Sequence, residues 1–341
     1  MLGAAAGGTM RDQISRNHGI SSICTIIVER VTILVDPARW PAHGVLWAHL
    51  VSDHSLAELH AFAHGQRLAR RRFDLDHYDV RGDEIPGLVG AGAVAVSGHE
   101  LVRRLSASGL RIPQAERAGV RGPARLAELR AWWAELGDGS AVWAEVGAAL
   151  LRRWQEPHRG YHDTRHLHDV LINLDLLWAS GAELRRAALL AAWYHDAIYE
   201  GVPGQDERAS AALARHELEA LGLLAAEAEQ VARLVLSTDP SSEDGLIPVD
   251  AGAAALLGDA DLAILAASDQ RYREYVDGVR REYAHVPPLE FVEGRLRILQ
   301  DFLARRELFH TPSASKLWDQ RARMNLTTEI RQLSAERSAL R

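Results

Sequence analysis

Cysteine is almost missing from this 341-residue chain, where Cys24 stands alone. One cysteine cannot close a disulfide within the chain, which points to a reducing compartment such as the cytoplasm. It also argues against a closed zinc site built on thiolates. Lysine is equally scarce: Lys316 is the only one, and arginine supplies the remaining basic residues. We read that as base-composition bias without functional content. No apolar run approaches the roughly 18 residues that span a bilayer. The best candidates are broken by Glu145, or by His195 and Asp196. The first 25 residues lack an apolar core beside a cleavage site, so no secretory signal is expected. No GxGxxG or P-loop pattern occurs, which disfavours dinucleotide or Walker-type binding. The net charge of -7 leaves no broad basic surface, so extended nucleic-acid binding is not expected.

What is present is the balance of a globular protein, 47% hydrophobic and 25% charged, with length enough for two cores. Residues 1–30 are Gly/Ala-rich and then polar, and read as a disordered extension. Residues 31–111 read as a small α/β domain. Val31 to Val35 is a β-branched run ending at Asp36-Pro37. Ser55 and Glu58 form a capping box for a helix to about His64. Gly92 to Val96 reads as a buried strand, and a helix with Leu101, Val102 and Leu105 on its apolar face follows Gly98. This alternation suggests a parallel sheet. Residues 112–124, with Pro113, Gly119, Gly122 and Pro123, read as a linker. From Arg125 to about 335, helical periodicity is nearly continuous, which predicts an all-α domain. Its helices are expected at 125–136, 140–155, 164–179, 183–198, 206–221, 224–236, 251–267, 269–284, 288–304 and 314–333.

The helical segment carries the chemistry. Three His-Asp dipeptides occur: His162-Asp163, His168-Asp169 and His195-Asp196. The last follows an apolar stretch, Ala187 to Ala192. Burying an imidazole beside a carboxylate is costly unless they are paired or bind a metal. His166 shares a helix face with Val170, Asn173, Leu174 and Leu177, and therefore points inward. His162 lies one turn earlier on the same face, whereas His168 is rotated away. In the helix 251–267, Asp261 shares a face with Leu257, Ile264 and Leu265. Asp259 points elsewhere and is held in reserve. His166, His195, Asp196 and Asp261 thus form a two-imidazole, two-carboxylate set suited to Mn, Fe, Co or Zn, with His162 as a further reserve. His158 and His162 can extend it to a second ion. Such an ion acidifies water and neutralises phosphate charge.

The segment from about 140 to 335 resembles the HD superfamily of metal-dependent phosphohydrolases, in an uncharacterised bacterial branch. The resemblance rests on Tyr161 to His166, Tyr194 to Tyr199 and Asp259 to Leu262. It implies an α-helical fold, hydrolysis of a phosphoester or nucleotide phosphate, and His166, His195, Asp196 and Asp261 as metal ligands. Nucleotide-cleaving relatives carry a Glu three residues after the doublet, and here that position is Tyr199. Glu207 is then the candidate general base, with Glu200 as alternative. Arginines in and around the helical segment, among them Arg165, Arg280 and Arg295, are candidate phosphate grips.

The N-terminal domain resembles a small bacterial domain family of unknown function. The resemblance lies in Val35-Asp36-Pro37, the run Trp47 to Asp53, and Asp76 to Val80. Its polar residues suggest a phosphate- or nucleotide-binding site formed by Asp36, His49, Asp53, Arg72, Asp76 and His77. The expected activity is cytoplasmic hydrolysis of a small phosphorylated substrate, with no membrane partner. The alternative is a non-catalytic nucleotide-sensing module.

Overall fold

The computed structural model describes residues 32–42, 44–178, 182–239 and 251–341. The expected extension over 1–30 lies outside them. An α/β unit comes first and a helical unit follows, as the two periodicities predict. Among the described residues, no single helix is long and apolar enough to cross a membrane.

The α/β unit is built around β3 (Val45–Ser52), which pairs antiparallel with β1 (Ile33–Val35), β2 (Trp40–Ala42) and β4 (Tyr78–Arg81). Among the described strands only β5 (Val94–Ala95) makes a parallel pairing, beside β1. The sheet is therefore mixed rather than parallel. β1 and β2 run in the same direction along one edge of β3, and the short turn between β2 and β3 reverses the chain. Two helices, α1 (Leu56–Gly65) and α2 (Ile85–Gly90), intervene before β5, which gives the chain room to return parallel. Strand alternation sorts the faces. Ile33, Val35, Ala48, Leu50, Tyr78 and Val80 bury one face with Leu59 and Leu88. Leu34 and Val51 bury part of the other against Leu101 and Leu105 of α3 (Gly98–Ala107). Val94 and Val102, expected in the core, are largely exposed.

The expected linker is not one. Residues 117–124 form the first turns of α4 (Arg117–Glu135), with Pro123 inside the helix. Proline there removes one backbone donor, and ion pairs hold the segment in place. Arg117 donates to Asp74 and Asp76, and Arg121 pairs with Asp74. At the far end of α4, Arg70 pairs with Glu135 and lies 4.7 Å over the Trp132 ring. The two units are thus joined along the length of α4.

The helical unit continues with α5 (Ala141–Arg153), α6 (Thr164–Leu177), α7 (Ala182–Tyr194), α8 (Gln205–Ala220) and α9 (Ala225–Leu236). Then come α10 (Ala251–Leu262), α11 (Asp269–Glu282), α12 (Pro288–Ala304) and α13 (Pro312–Leu340). A large core centred on Trp133, Trp143, Trp154 and Trp193 joins α4 to α10. A second core, with Tyr161, Tyr272, Tyr275, Leu296 and Phe309, packs α11 to α13. The loop before α6 sits where these two cores meet.

Candidate metal centre

Each of the three His-Asp dipeptides has a distinct fate. Asp163 is the N-cap of α6, accepting from the backbone N–H of Arg165 and His166. A helix start is thereby fixed three residues before His166. His168 stacks on Trp132 and bonds Glu128, while Asp169 pairs with Arg271. The third pair is placed by a helix ending. α7 stops at Tyr194, four residues earlier than its periodicity suggests. The carbonyls of Asp196 and Ala197 accept from the buried Arg159, and the Ile198 N–H goes to Ser210 Oγ. These bonds take the backbone out of the helix and leave the His195-Asp196 doublet in a turn.

From that turn the doublet meets α6 and α10. His166 Nε2 lies 3.1 Å from His195 Nε2 and 3.1 Å from Asp261 Oδ1. Asp196 Oδ2 lies 3.2 Å from His195 Nε2 and 3.7 Å from His166 Nε2. Asp261 Oδ1 is 3.7 Å from His195 Nε2. Both imidazoles are buried, and Asp261 is the most exposed of the four side chains, at 27%. His195 Nδ1 donates to the Ala192 carbonyl, which leaves its Nε2 facing the cluster. With donors about 2.1 Å from a divalent ion, neighbouring ligand atoms stand roughly 3.0–3.4 Å apart in octahedral or tetrahedral arrangements. The donor atoms of His166, His195 and Asp261 all lie within 4.8 Å of one another and suit such an ion, and Asp196 Oδ2 stands 3.2 and 3.7 Å from the two imidazoles.

The electrostatics of His195, Asp196 and Asp261 agree with the distances. Burial disfavours charge on His195, but the Asp196 and Asp261 carboxylates outweigh it and raise the imidazole to about 9. Burial would likewise raise Asp196, yet His195, His162 and His166 hold it well below the usual carboxylate range. Asp261 is lowered against burial by its hydrogen bond to His166. The cluster thus favours a positive charge at its centre, and a bound metal ion competes with protons for that place.

Around the four lies a supporting layer that the sequence reading missed. Glu282, at the end of α11, accepts from the backbone N–H of Gly160, Tyr161 and His162. It also bonds His162 Nδ1 at 2.9 Å and the Tyr199 hydroxyl at 3.1 Å. Burial opposes its charge, but His162 and the amides hold its carboxyl down at about 2. His162 is turned by this bond so that its Nε2 stands 4.0 Å from Asp196 Oδ2. Tyr199 stacks on His162 and is pushed upward by burial and by Glu282, so its hydroxyl remains a donor. A glutamate in the last turn opposes the helix dipole, and that local conflict is the signal by which Glu282 can be found. The loop reaches Glu282 because Gly160 rests against Gly278 of α11. A Cβ on Gly278 would lie 2.7 Å from the Gly160 carbonyl oxygen, and a Cβ on Gly160 would collide with the Gly278 carbonyl.

The reserve residues and candidate bases sit as follows. His158 bonds the Tyr199 carbonyl. Asp259 turns away from the cluster and accepts from the backbone N–H of His310 and Thr311. Glu207 accepts from the Gly204 N–H at the start of α8, and burial raises its pKa. Glu200 is exposed. Arg295 is buried and committed to Glu329 and Tyr275. Arg280 donates to the carbonyls of Tyr283 and Val286. Both guanidinium groups are therefore engaged in holding the fold. Arg165 pairs with Glu274 at the edge of a groove shared with Arg271. Arg271, absent from the sequence candidates, also lines a cavity of about 230 Å³ beside His166 and Asp261, together with Asn173 and Trp318.

In the α/β unit, Asp36, His49, Asp76 and His77 come together. Two other expected members do not. Asp53 follows the end of β3 that pairs with the start of β1, and it binds Arg104. Arg72 is committed to Glu84. With its one expected cation engaged elsewhere, this group is carboxylates and imidazoles rather than a phosphate grip.

Comparison with known proteins reaches only the α/β unit. Residues 33–108 match the family described as "Protein of unknown function (DUF4031)", and no match to an HD-type family accompanies it. No curated protein matches the chain.

Proposed function

We propose that the helical unit is an HD-type metal-dependent phosphohydrolase, acting on a phosphoester or nucleotide phosphate of a small phosphorylated substrate. The observation that carries this reading is the convergence of His166, His195, Asp196 and Asp261 from three separate helical segments at 3.1–3.7 Å. The resemblance of Tyr161 to His166, Tyr194 to Tyr199 and Asp259 to Leu262 to the HD pattern supports it. A Mn, Fe, Co or Zn ion bound there supplies a Lewis acid that acidifies water and offsets phosphate charge. The chain's own residues do the rest. Asp261 opens toward the cavity that Arg271 also lines, and Arg271, paired there with Asp169, is the guanidinium we assign to a phosphoryl oxygen. Glu282 and Arg159 hold the loop and the doublet so that His162, His195 and Asp196 keep their orientation. The test is elemental analysis of protein purified without chelator, together with a nucleotide and phosphoester panel, for wild type and Asp196→Ala. About one ion per chain and phosphate release, both lost in the variant, is the expected result; equal metal or unchanged hydrolysis sinks the reading.

A second reading, a nucleotide-sensing module without turnover, is favoured by Tyr199. Its hydroxyl is bound to Glu282 at the position where nucleotide-cleaving relatives place a glutamate. Tight nucleotide binding with stoichiometric metal and no phosphate release distinguishes it.

A further inference from the structure

A second set of metal-type donors stands on the polar face of the sheet. His49 on β3 and Asp79 on β4 are direct partners in the antiparallel ladder, so their side chains share a face. Asp36, just beyond β1, is the neighbour of His49 on the other side, with its N–H bonded to the His49 carbonyl. His77 precedes Asp79 by two residues, and its ring meets that of His49 edge-on at 4.8 Å. One donor atom from each of His49, His77 and Asp79 lies within 4.8 Å of the others.

Two further features distinguish this group from an ordinary polar patch. Each imidazole gives its Nδ1 to a separate carboxylate. His49 Nδ1 is 3.1 Å from Asp36 Oδ2, and His77 Nδ1 is 2.7 Å from Asp76 Oδ1. Each Nε2 is thereby left for another partner, and that of His77 faces Asp79 Oδ1 at 3.6 Å. A carboxylate on the far nitrogen is the arrangement that orients metal-ligating histidines. The orienting carboxylates are themselves fixed. Asp36 Oδ1 accepts from the His49 N–H, while Asp76 accepts from the Ile112 N–H and from Arg117. Asp36 and Asp76 are nearly buried, at 10% and 3%, whereas Asp79 is 47% exposed. The outer layer is rigid and the ligand side is open.

We propose that His49, His77 and Asp79 form a second divalent transition-metal site, with Asp36 and Asp76 as its orienting carboxylates. Two imidazoles and one carboxylate suit Zn, Co or Ni over Mg or Ca. Three protein ligands leave positions for water or a substrate donor on the side of Asp79. The site does not depend on the reading of the helical cluster.

The test is calorimetric titration of the full chain with Zn²⁺, for wild type, Asp79→Asn, His49→Gln and Asp196→Asn. Asp79→Asn keeps side-chain shape at an exposed position, so folding is not at issue. Two classes of site are expected in wild type. Asp79→Asn and His49→Gln should each weaken one class at least tenfold and spare the other, and Asp196→Asn should do the reverse. A single class sensitive to Asp79 and His49 alone leaves this site standing and removes the metal from the helical unit. Titrations of Asp79→Asn and His49→Gln that overlay wild type overturn the site.

Discussion

The two histidine clusters use the same ligand types in opposite settings. In the helical unit, His166 and His195 are buried beneath the tryptophan core, and helix ends deliver every donor. In the α/β unit, His49, His77 and Asp79 stand on an open sheet face and the neighbouring carboxylates are the buried part. Buried donors in a dry setting interact strongly, so loss of one disturbs charge balance as well as ligation. In the sheet the imidazoles are half-buried and only Asp79 is open to solvent, so screening weakens the carboxylate's share of the interaction there. The comparison therefore sets a site whose carboxylates are enclosed against one whose ligand carboxylate is open to screening.

The sharpest way to break it is at the doublet. His195→Ala or Asp196→Ala should lower metal content and turnover more than about a hundredfold, since even outer-layer partners of a metal are worth about 10–100-fold. The helical circular dichroism should persist. Undiminished turnover in either variant removes the proposed centre.

Glu282→Gln comes next. Its carboxyl is held at about 2 in the folded chain against an ordinary 4.5, a depressed value. Its contribution is therefore present above pH 4.5 and lost as pH falls toward 2. The size is roughly 3 kcal/mol at neutral pH. Melting curves between pH 3 and 7 should show wild type losing stability on acidification more steeply than the variant. Parallel curves would mean that the loop is held by its other contacts.

His77 supplies the opposite sign. Asp76 and Asp79 outweigh burial and raise its imidazole from 6.5 to about 9. Its contribution is full below pH 6.5 and lost as pH rises through 9, up to about 3 kcal/mol. Under chelator, wild type should lose stability between pH 7 and 9.5, and His77→Gln should be flatter there. If both variants titrate with the same sign, the contrast between the clusters fails.

The smallest effects belong to the two candidate bases. Glu207→Ala removes the acceptor for the Gly204 N–H at the start of α8 and should cost about 1 kcal/mol. Glu200→Gln, at an exposed position, should change turnover less than about twofold. A large loss in Glu200→Gln with unchanged stability would make Glu200 the base.

Much of the helical unit was legible because its apolar residues repeat with one period, and inward faces follow from spacing. That logic separated His166 from His168 and Asp261 from Asp259. The end of α7 was not legible, because Arg159 and Ser210 break the helix from outside its own sequence. α4 was misjudged at the other end, where Pro123 and two glycines look like a break and the arginines that secure it find partners some 40 residues away. In the α/β unit, β3 was overlooked as a strand because its polar face carries Trp47 and His49 in place of a simple alternation. Asp79 was passed over as a ligand although it stands two residues from His77 in the same run. Once β4 is recognised, that spacing puts both on one side.

The meeting of Gly160 with Gly278 has a consequence for how this protein can change over time. Damage to a side-chain core is often repaired by trimming a neighbour, since another side chain can shrink to make room. Here both surfaces are main chain. Neither partner has anything left to shorten, so a substitution at either glycine has no compensating change across the contact. The spacing between the His162 loop and Glu282 is one that drift cannot adjust by small steps.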